Sequence, residues 1–276
     1  FFSEVQLMIV NTNYNSLVSQ SNLFSVNKSL SSSMEKLSSG LRINNASDDA
    51  AGLAISERMG AQVRGMEQAF RNAQDGISLA QTAEGALGTV TDMLQRAREL
   101  AVQADNGTYS DDDKATIQAE ITALVNEVQH IAETSNFNGI NLLDGSVGSV
   151  SIHISDQSDD TIDINLADST SATLGLDGVN VATDAQAAIE TIDTALNTVN
   201  GARADLGAVQ NRLDFISSNL QTSINNTSAS KSRILDADMA KEMSELVKNQ
   251  TLQQTTMNML SRANAQPQSV LSLLQG

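Results

Sequence analysis

The side chains with which this chain could do chemistry are few and scattered. His130 and His153 lie far apart in sequence, and no HExxH brings a histidine pair onto one helix face as a zinc site would need. Each reads more plainly as a surface or half-buried imidazole. Asp156, Asp159, Asp160 and Asp163 gather carboxylates as a calcium loop does, but the central Gly and closing Glu of an EF-hand are missing. Charges that discourage unwanted pairing along a solvated hairpin edge explain them better. Gly145 and Gly148 form no phosphate-binding loop, and the chain has no Cys for a thiolate nucleophile, a disulfide or a thiolate metal site. Met59, Met66, Met239, Met243 and Met257 fall on helical stripes and read as packing residues. No nucleophile stands at a suggestive spacing from a base. The pattern predicts no enzyme, no cofactor and no metal site.

What remains is the chemistry of adhesion. Met239, Met243, Leu246, Gln250, Gln253, Met257 and Leu260 recur at alternating intervals of four and three, the spacing of a heptad. The last 28 residues of this stripe's helix carry one charge, Arg262. Near the front, Leu23, Leu30, Met34, Leu37 and Leu41 keep the same interval, with Asn27 in a polar slot. These ten apolar positions, five at each end, form the predicted self-assembly seam. Both stripes must be covered, so the ends are expected to pair and then to complete their burial against other copies of the chain. Asn27, Gln250 and Gln253 either fix the register, as buried amides do in coiled coils, or are tolerated at a partly wet interface.

The elements that position these stripes are long helices. A single Pro, Pro267, leaves the rest of the chain free of helix breakers. From Met59 through Val63, Met66, Phe70, Ala73, Ile77, Ala80, Leu87 and Leu94 to Ala101 runs a small-apolar seam broken only by Glu84, Thr91 and Arg98. At 1.5 Å per residue that is a helix of about 65 Å. Ser47-Asp48-Asp49 supplies an N-cap and first-turn acids. Asn106-Gly107 ends it, Ser110 to Asp113 restarts a helix buried through Ile117, Ile121, Leu124, Val128 and Ile131, and Asn138-Gly139 is expected to stop that one. Between about 140 and 183, Val150, Ile152 and Ile154 alternate, as do Ile162, Ile164 and Leu166, predicting a small β-hairpin region. Asp184 then caps a third long helix. The fold class is mainly α: a long antiparallel coiled-coil-like helix bundle with a small β-hairpin subdomain and paired terminal helices.

Charge divides the chain further. Of the net −17, residues 99–184 hold −15, from sixteen acids and Lys114, so this stretch is expected to face water. The nearly neutral flanks can pack against identical neighbours without strong repulsion. Aromatics make up 3% and no basic patch stands out, which argues against a nucleic-acid partner. No stretch approaches the roughly 20 apolar residues of a membrane span. Residues 1–10 lack the basic start and cleavage site of a secretory signal, so export would use a route that removes none.

These blocks resemble bacterial flagellin. Leu37-Ser38-Ser39-Gly40-Leu41-Arg42-Ile43-Asn44 with Ala46-Ser47-Asp48-Asp49-Ala50-Ala51-Gly52 is the most specific. Met8 to Asn13, Gln95 to Gln103, Asn136 to Gly139, Gly201 to Ala204 and Pro267 to Leu271 follow the same pattern. The resemblance implies a minimal flagellin without variable outer domains. It implies an inner-core terminal-helix domain (8–50 and 236–276) and a rod domain (51–235), with 1–7 an atypical N-terminal extension. By the same resemblance the chain is a secreted subunit of the extracellular bacterial flagellum filament that self-assembles for motility. The partners implied are copies of itself, an export chaperone on the C-terminal helix, filament cap and hook-junction proteins, and Toll-like receptor 5. The hook–filament junction protein of the same export system is the alternative. Family positions for the receptor contact match Arg96, Leu100 and Glu120; a basic residue four positions after the Glu in well-recognised members is Leu124 here.

Overall fold

The computed structural model describes residues 12–157 and 159–274. In chain order the elements are α1 (Tyr14–Ser39), α2 (Ala50–Ala104), α3 (Asp111–Thr134), β1 (Asn136–Phe137), β2 (Ile140–Asn141), β3 (Ser149–His153), β4 (Thr161–Asn165), a 3-10 turn (Leu176–Gly178), α4 (Ala185–Leu235) and α5 (Met239–Leu274). The chain divides into two compact units, Phe1–Gly60 with Thr227–Gly276, and Ala61–Asn226; the boundary falls inside α2 and α4. The expected extension 1–7 and the Met8 to Asn11 part of the start block lie outside the described residues.

In the Ala61–Asn226 unit, α2 buries a stripe of mostly small residues: Ala73, Ala80, Ala83, Leu87, Val90, Leu94, Ala97, Ala101. Small side chains let the backbones of its neighbours come close, and they are met by Ile121 and Val128 of α3 and by Ile192, Val199 and Leu213 of α4. This stripe keeps the expected Ala73, Ile77, Ala80, Leu87, Leu94 and Ala101 and is wider than expected. Ala83, Val90 and Ala97 fill the buried slots, not Glu84 and Arg98, which reach across to α4 instead. Glu84 accepts from the Arg203 guanidinium at 2.6 Å, and Arg98 donates to Asp193 at 2.5 Å. Thr91 is buried, with its hydroxyl donating to the Leu87 carbonyl.

The helix ends are set by local chemistry. Asp49 caps α2 through the Gly52 N–H at 2.8 Å, so the acids precede the helix and do not lie in its first turn. Ser110 and Asp113 form a reciprocal capping box at α3. Asp184 accepts from the Ala187 N–H and caps α4. Asn138-Gly139 does not stop α3, which ends at Thr134. Both residues adopt positive φ, 50° and 82°, the pair a two-residue type I′ hairpin turn requires, and they join β1 to β2.

The β3–β4 hairpin matches the alternation read from sequence: Val150 opposes Ile164 and Ile152 opposes Ile162. It lies against α2, where Asn72 donates its amide to the His153 carbonyl at 3.0 Å. Gly76 makes the seat, because a Cβ there would come within 3.1 Å of Ile152 and 3.3 Å of Leu213. The loop 170–184 is clamped to α3 by two glutamines. Gln118 donates to the Val179 carbonyl and accepts from the Val181 N–H, and Gln129 accepts from the Ser171 N–H.

Candidate assembly and recognition surfaces

In the unit formed by the chain ends, α1 and α5 run antiparallel. Asn13 donates its amide to the Ala263 carbonyl at 2.7 Å, Ser16 donates to the Asn264 side chain at 2.7 Å, and Gln253 donates to the Asn27 side chain at 2.7 Å. The two polar slots read from sequence thus meet each other. At the opposite end of the pair the connecting segments are stitched together by main chain. Arg42 N–H donates to Leu235 O, Ala237 N–H donates to Gly40 O, and the Arg42 guanidinium donates to Ile234 O. Asp48 steadies this segment by accepting the N–H groups of Asn45 and Asn44, which hold its carboxyl below the usual range.

The terminal pair covers the predicted stripe only in part. Leu23, Leu30, Leu37 and Leu41 on one side, and Leu246 and Leu260 on the other, are half-buried. Met34, Met239, Met243 and Met257 each stay about half exposed, and Gln250 is exposed. Ser33, Asn249 and Ala263 are the buried residues, with Val26 and Thr256 half-buried beside them. The heptad frame is the cause. From the same leucines the next inward position lies three or four residues on, and small polar residues occupy the slot that packs. The pair thus shares its inner face between half-buried leucines and small or amide side chains, while Tyr14, Leu17, Phe24 (74% exposed), the four methionines and Val247 stay exposed.

On the Ala61–Asn226 unit, Arg96 and Glu120 meet across α2 and α3. The Arg96 guanidinium donates to one Glu120 carboxylate oxygen at 3.0 and 3.3 Å and reaches Glu99 at 3.4 Å. Hydrogen bonding to Glu120 raises the Arg96 pKa further. Leu100 lies beneath them, 3% exposed and packed into the core, so it supports this surface without presenting a side chain on it. Leu124 also packs against the core. Asp163 is hydrogen-bonded to Ser151 within the hairpin, and Asp156 and Asp160 line a groove of about 830 Å³ beside α4. Among the described residues no three His, Asp or Glu side chains gather as a metal site would need, and no helix is long and apolar enough to cross a membrane.

Helices this long, with two small hairpins between them and a terminal pair that leaves many apolar residues exposed, define a helical structural subunit. Comparison gives the family. The model of the bacterial flagellin N-terminal helical region matches residues 10–147, and that of the C-terminal helical region matches 189–274. Flagellin of Halalkalibacterium halodurans is 49% identical over 246 residues, covering 88% of this chain and 90% of that protein. Flagellin of Bacillus subtilis is 45% identical, covering 97% and 100%. The flagellar filament 31.3 kDa core protein of Treponema maltophilum is 43% identical with the same coverage. The crystal structure of Bacillus cereus flagellin superposes with a TM-score of 0.50 at 34% identity, over 58% of this chain and 94% of that one. The chain belongs to the bacterial flagellin family, in a small form with no outer domain between the two matched regions. None of these comparisons favours the hook–filament junction.

Proposed function

We propose that this chain is the structural subunit that self-assembles into the extracellular flagellar filament, and that it has no catalytic role. One observation carries the reading: the terminal pair buries its leucines only halfway and leaves an apolar face uncovered. Burying that face against copies contributes about 25 cal/mol per Å² of apolar surface removed from water. The half-buried leucines and the outward Met34, Met239, Met243 and Met257 together form the proposed seam, the leucines within a subunit and the methionines between subunits. The inner-core domain is proposed as 8–50 with 236–276, and the rod as 51–235. The outward stripe of α5 suits a chaperone that shields it before export, and the growing end suits cap and hook-junction proteins. Arg96 and Glu120, with Leu100 beneath, are the proposed contact for Toll-like receptor 5.

The test is seeded growth. Full-length protein added to sheared filament fragments of the same chain should sediment as long filaments, while a chain lacking residues 249–276 should stay soluble with its rod still helical by circular dichroism. Filaments of normal length from the truncated chain would overturn the reading.

A further inference from the structure

Asn-Gly occurs three times in the chain, at Asn106-Gly107, Asn138-Gly139 and Asn200-Gly201, and all six residues are exposed. In this dipeptide the glycine nitrogen, unshielded by a Cβ, can attack the asparagine side-chain carbonyl carbon wherever the backbone lets the two meet. The fold grants that freedom at one of the three. Asn200-Gly201 lies inside α4, where helical geometry holds both peptides and the Gly201 N–H is bonded into the ladder. Asn138-Gly139 is locked at φ 50° and 82° by the Phe137–Ile140 pair on either side. Asn106-Gly107 instead lies in the connection between the end of α2 at Ala104 and the Ser110 cap of α3. Neither of its residues has positive φ, and among the described residues nothing accepts the Gly107 N–H. The Asn106 Oδ1 accepts from the Thr108 N–H at 3.3 Å. That bond folds the side chain over the Gly107 peptide and draws electron density from the carbonyl to be attacked.

We propose that Asn106-Gly107 is a self-modification site, where the chain turns an amide into a carboxylate without an enzyme, while the other two Asn-Gly pairs stay intact. The Gly107 nitrogen, giving up its proton to solvent base, bonds to Asn106 Cγ. The Cγ–Nδ2 bond breaks, and Nδ2 takes up a proton and leaves as ammonia. The Thr108 N–H, already aimed at Oδ1, meets the negative charge that grows on that oxygen during the attack. Water then adds to one or other carbonyl of the cyclic imide. Opening the bond to Cγ gives Asp; opening the main-chain bond gives isoaspartate, with the backbone rerouted through the side chain. Either product adds one negative charge beside Asp105, in the stretch that already holds most of the chain's excess. Each copy thereby acquires a charge that records its age, in a connection and not within a helix. The step belongs to the single chain and does not rest on the filament reading.

Full-length chain held in mildly alkaline buffer and mapped by peptide mass spectrometry tests this. Asn106 should gain the extra mass unit of the acid faster than Asn138 or Asn200 by on the order of tenfold or more, since those two must first open locally. In denaturant the three should react alike. Hydroxylamine, which cleaves at the imide, should cut the native chain after Asn106. Gly107→Ala fits the fold, because an added Cβ meets nothing within 4 Å, and it should suppress the change with helicity kept. A native chain in which Asn138 or Asn200 keeps pace with Asn106, or which hydroxylamine halves at Asn138, would overturn the assignment. So would a Gly107→Ala chain modified as fast as the parent. A native order of rates that persists in denaturant would overturn it too, by showing that flanking sequence and not the fold selects the site.

Discussion

At the scale of single residues, the ion pairs between α2 and α4 set alignment more than stability. Arg203, Glu84, Arg98 and Asp193 keep between 35% and 46% of their side-chain surface exposed, so solvent screens each pair. An exposed pair is worth on the order of 0–1 kcal/mol. Leu94 is buried between the same helices, and truncating such a residue costs about 2–5 kcal/mol. Arg203→Ala should therefore barely move the thermal midpoint, and Leu94→Ala should lower it clearly; reversing that order in calorimetry would show that the pairs carry the packing. The charges themselves were legible as interruptions of the α2 seam, but their partners were not, since Asp193 and Arg203 lie about a hundred residues away. Asn27 and Gln253 were legible as polar slots, and their meeting shows that the two ends had been placed in compatible phase. Met34 and Met257 stay about half exposed in the single chain, where the neighbouring Ser33 is buried and Thr256 half-buried. Gln118 and Gln129 left no signal at all: a glutamine that clamps a distant loop looks like any other on a helix surface.

Among the elements, α3 shows how a few polar atoms fix a boundary. The Ser110 hydroxyl and N–H both donate to Asp113, which holds that carboxyl below its ordinary value. A carboxyl lowered on folding stabilises the native state fully above the unfolded pKa, about 3.9 for Asp. That contribution is lost as the pH falls through the lower native value. Ser110→Ala should cost about 1 kcal/mol near neutrality and less at strongly acidic pH, where Asp113 is already protonated. Unfolding in denaturant at both pH values checks this, and an equal loss at each would place the stabilisation elsewhere. Asn138-Gly139 is legible in the sequence as a break but its kind is not, because the same dipeptide closes helices and makes hairpin turns. Only the two-residue strands flanking it decide between them, and these are too short for an alternating pattern to show.

For the molecule as a whole, the uneven charge carries a prediction about growth. The net charge of −17 is concentrated in residues 99–184, so neighbouring copies repel through that stretch while the nearly neutral helices attract. Added salt shortens the Debye length to about 8 Å at 0.15 M and should speed seeded elongation, most steeply at low ionic strength. Turbidity across a salt series measures it; growth that slows with salt would mean that attractive ion pairs dominate the contacts. The fold class and element order were readable because helices this long repeat their pattern many times. How little of each stripe the terminal pair covers by itself was not, since small residues such as Ser33 and Asn249 are the buried ones beside the leucines.

The main-chain stitch between Gly40–Arg42 and Leu235–Ala237 gives the terminal pair a mechanical polarity. Tension on the two tips loads the rungs at Asn13–Ala263 and Ser16–Asn264 one at a time, as in a zip, and each gives way at low force. The peeling halts at the stitch, where two backbone links and the Arg42 guanidinium share the load. A molecule pulled by its ends would thus shed its outer fingers long before the clasp at their base.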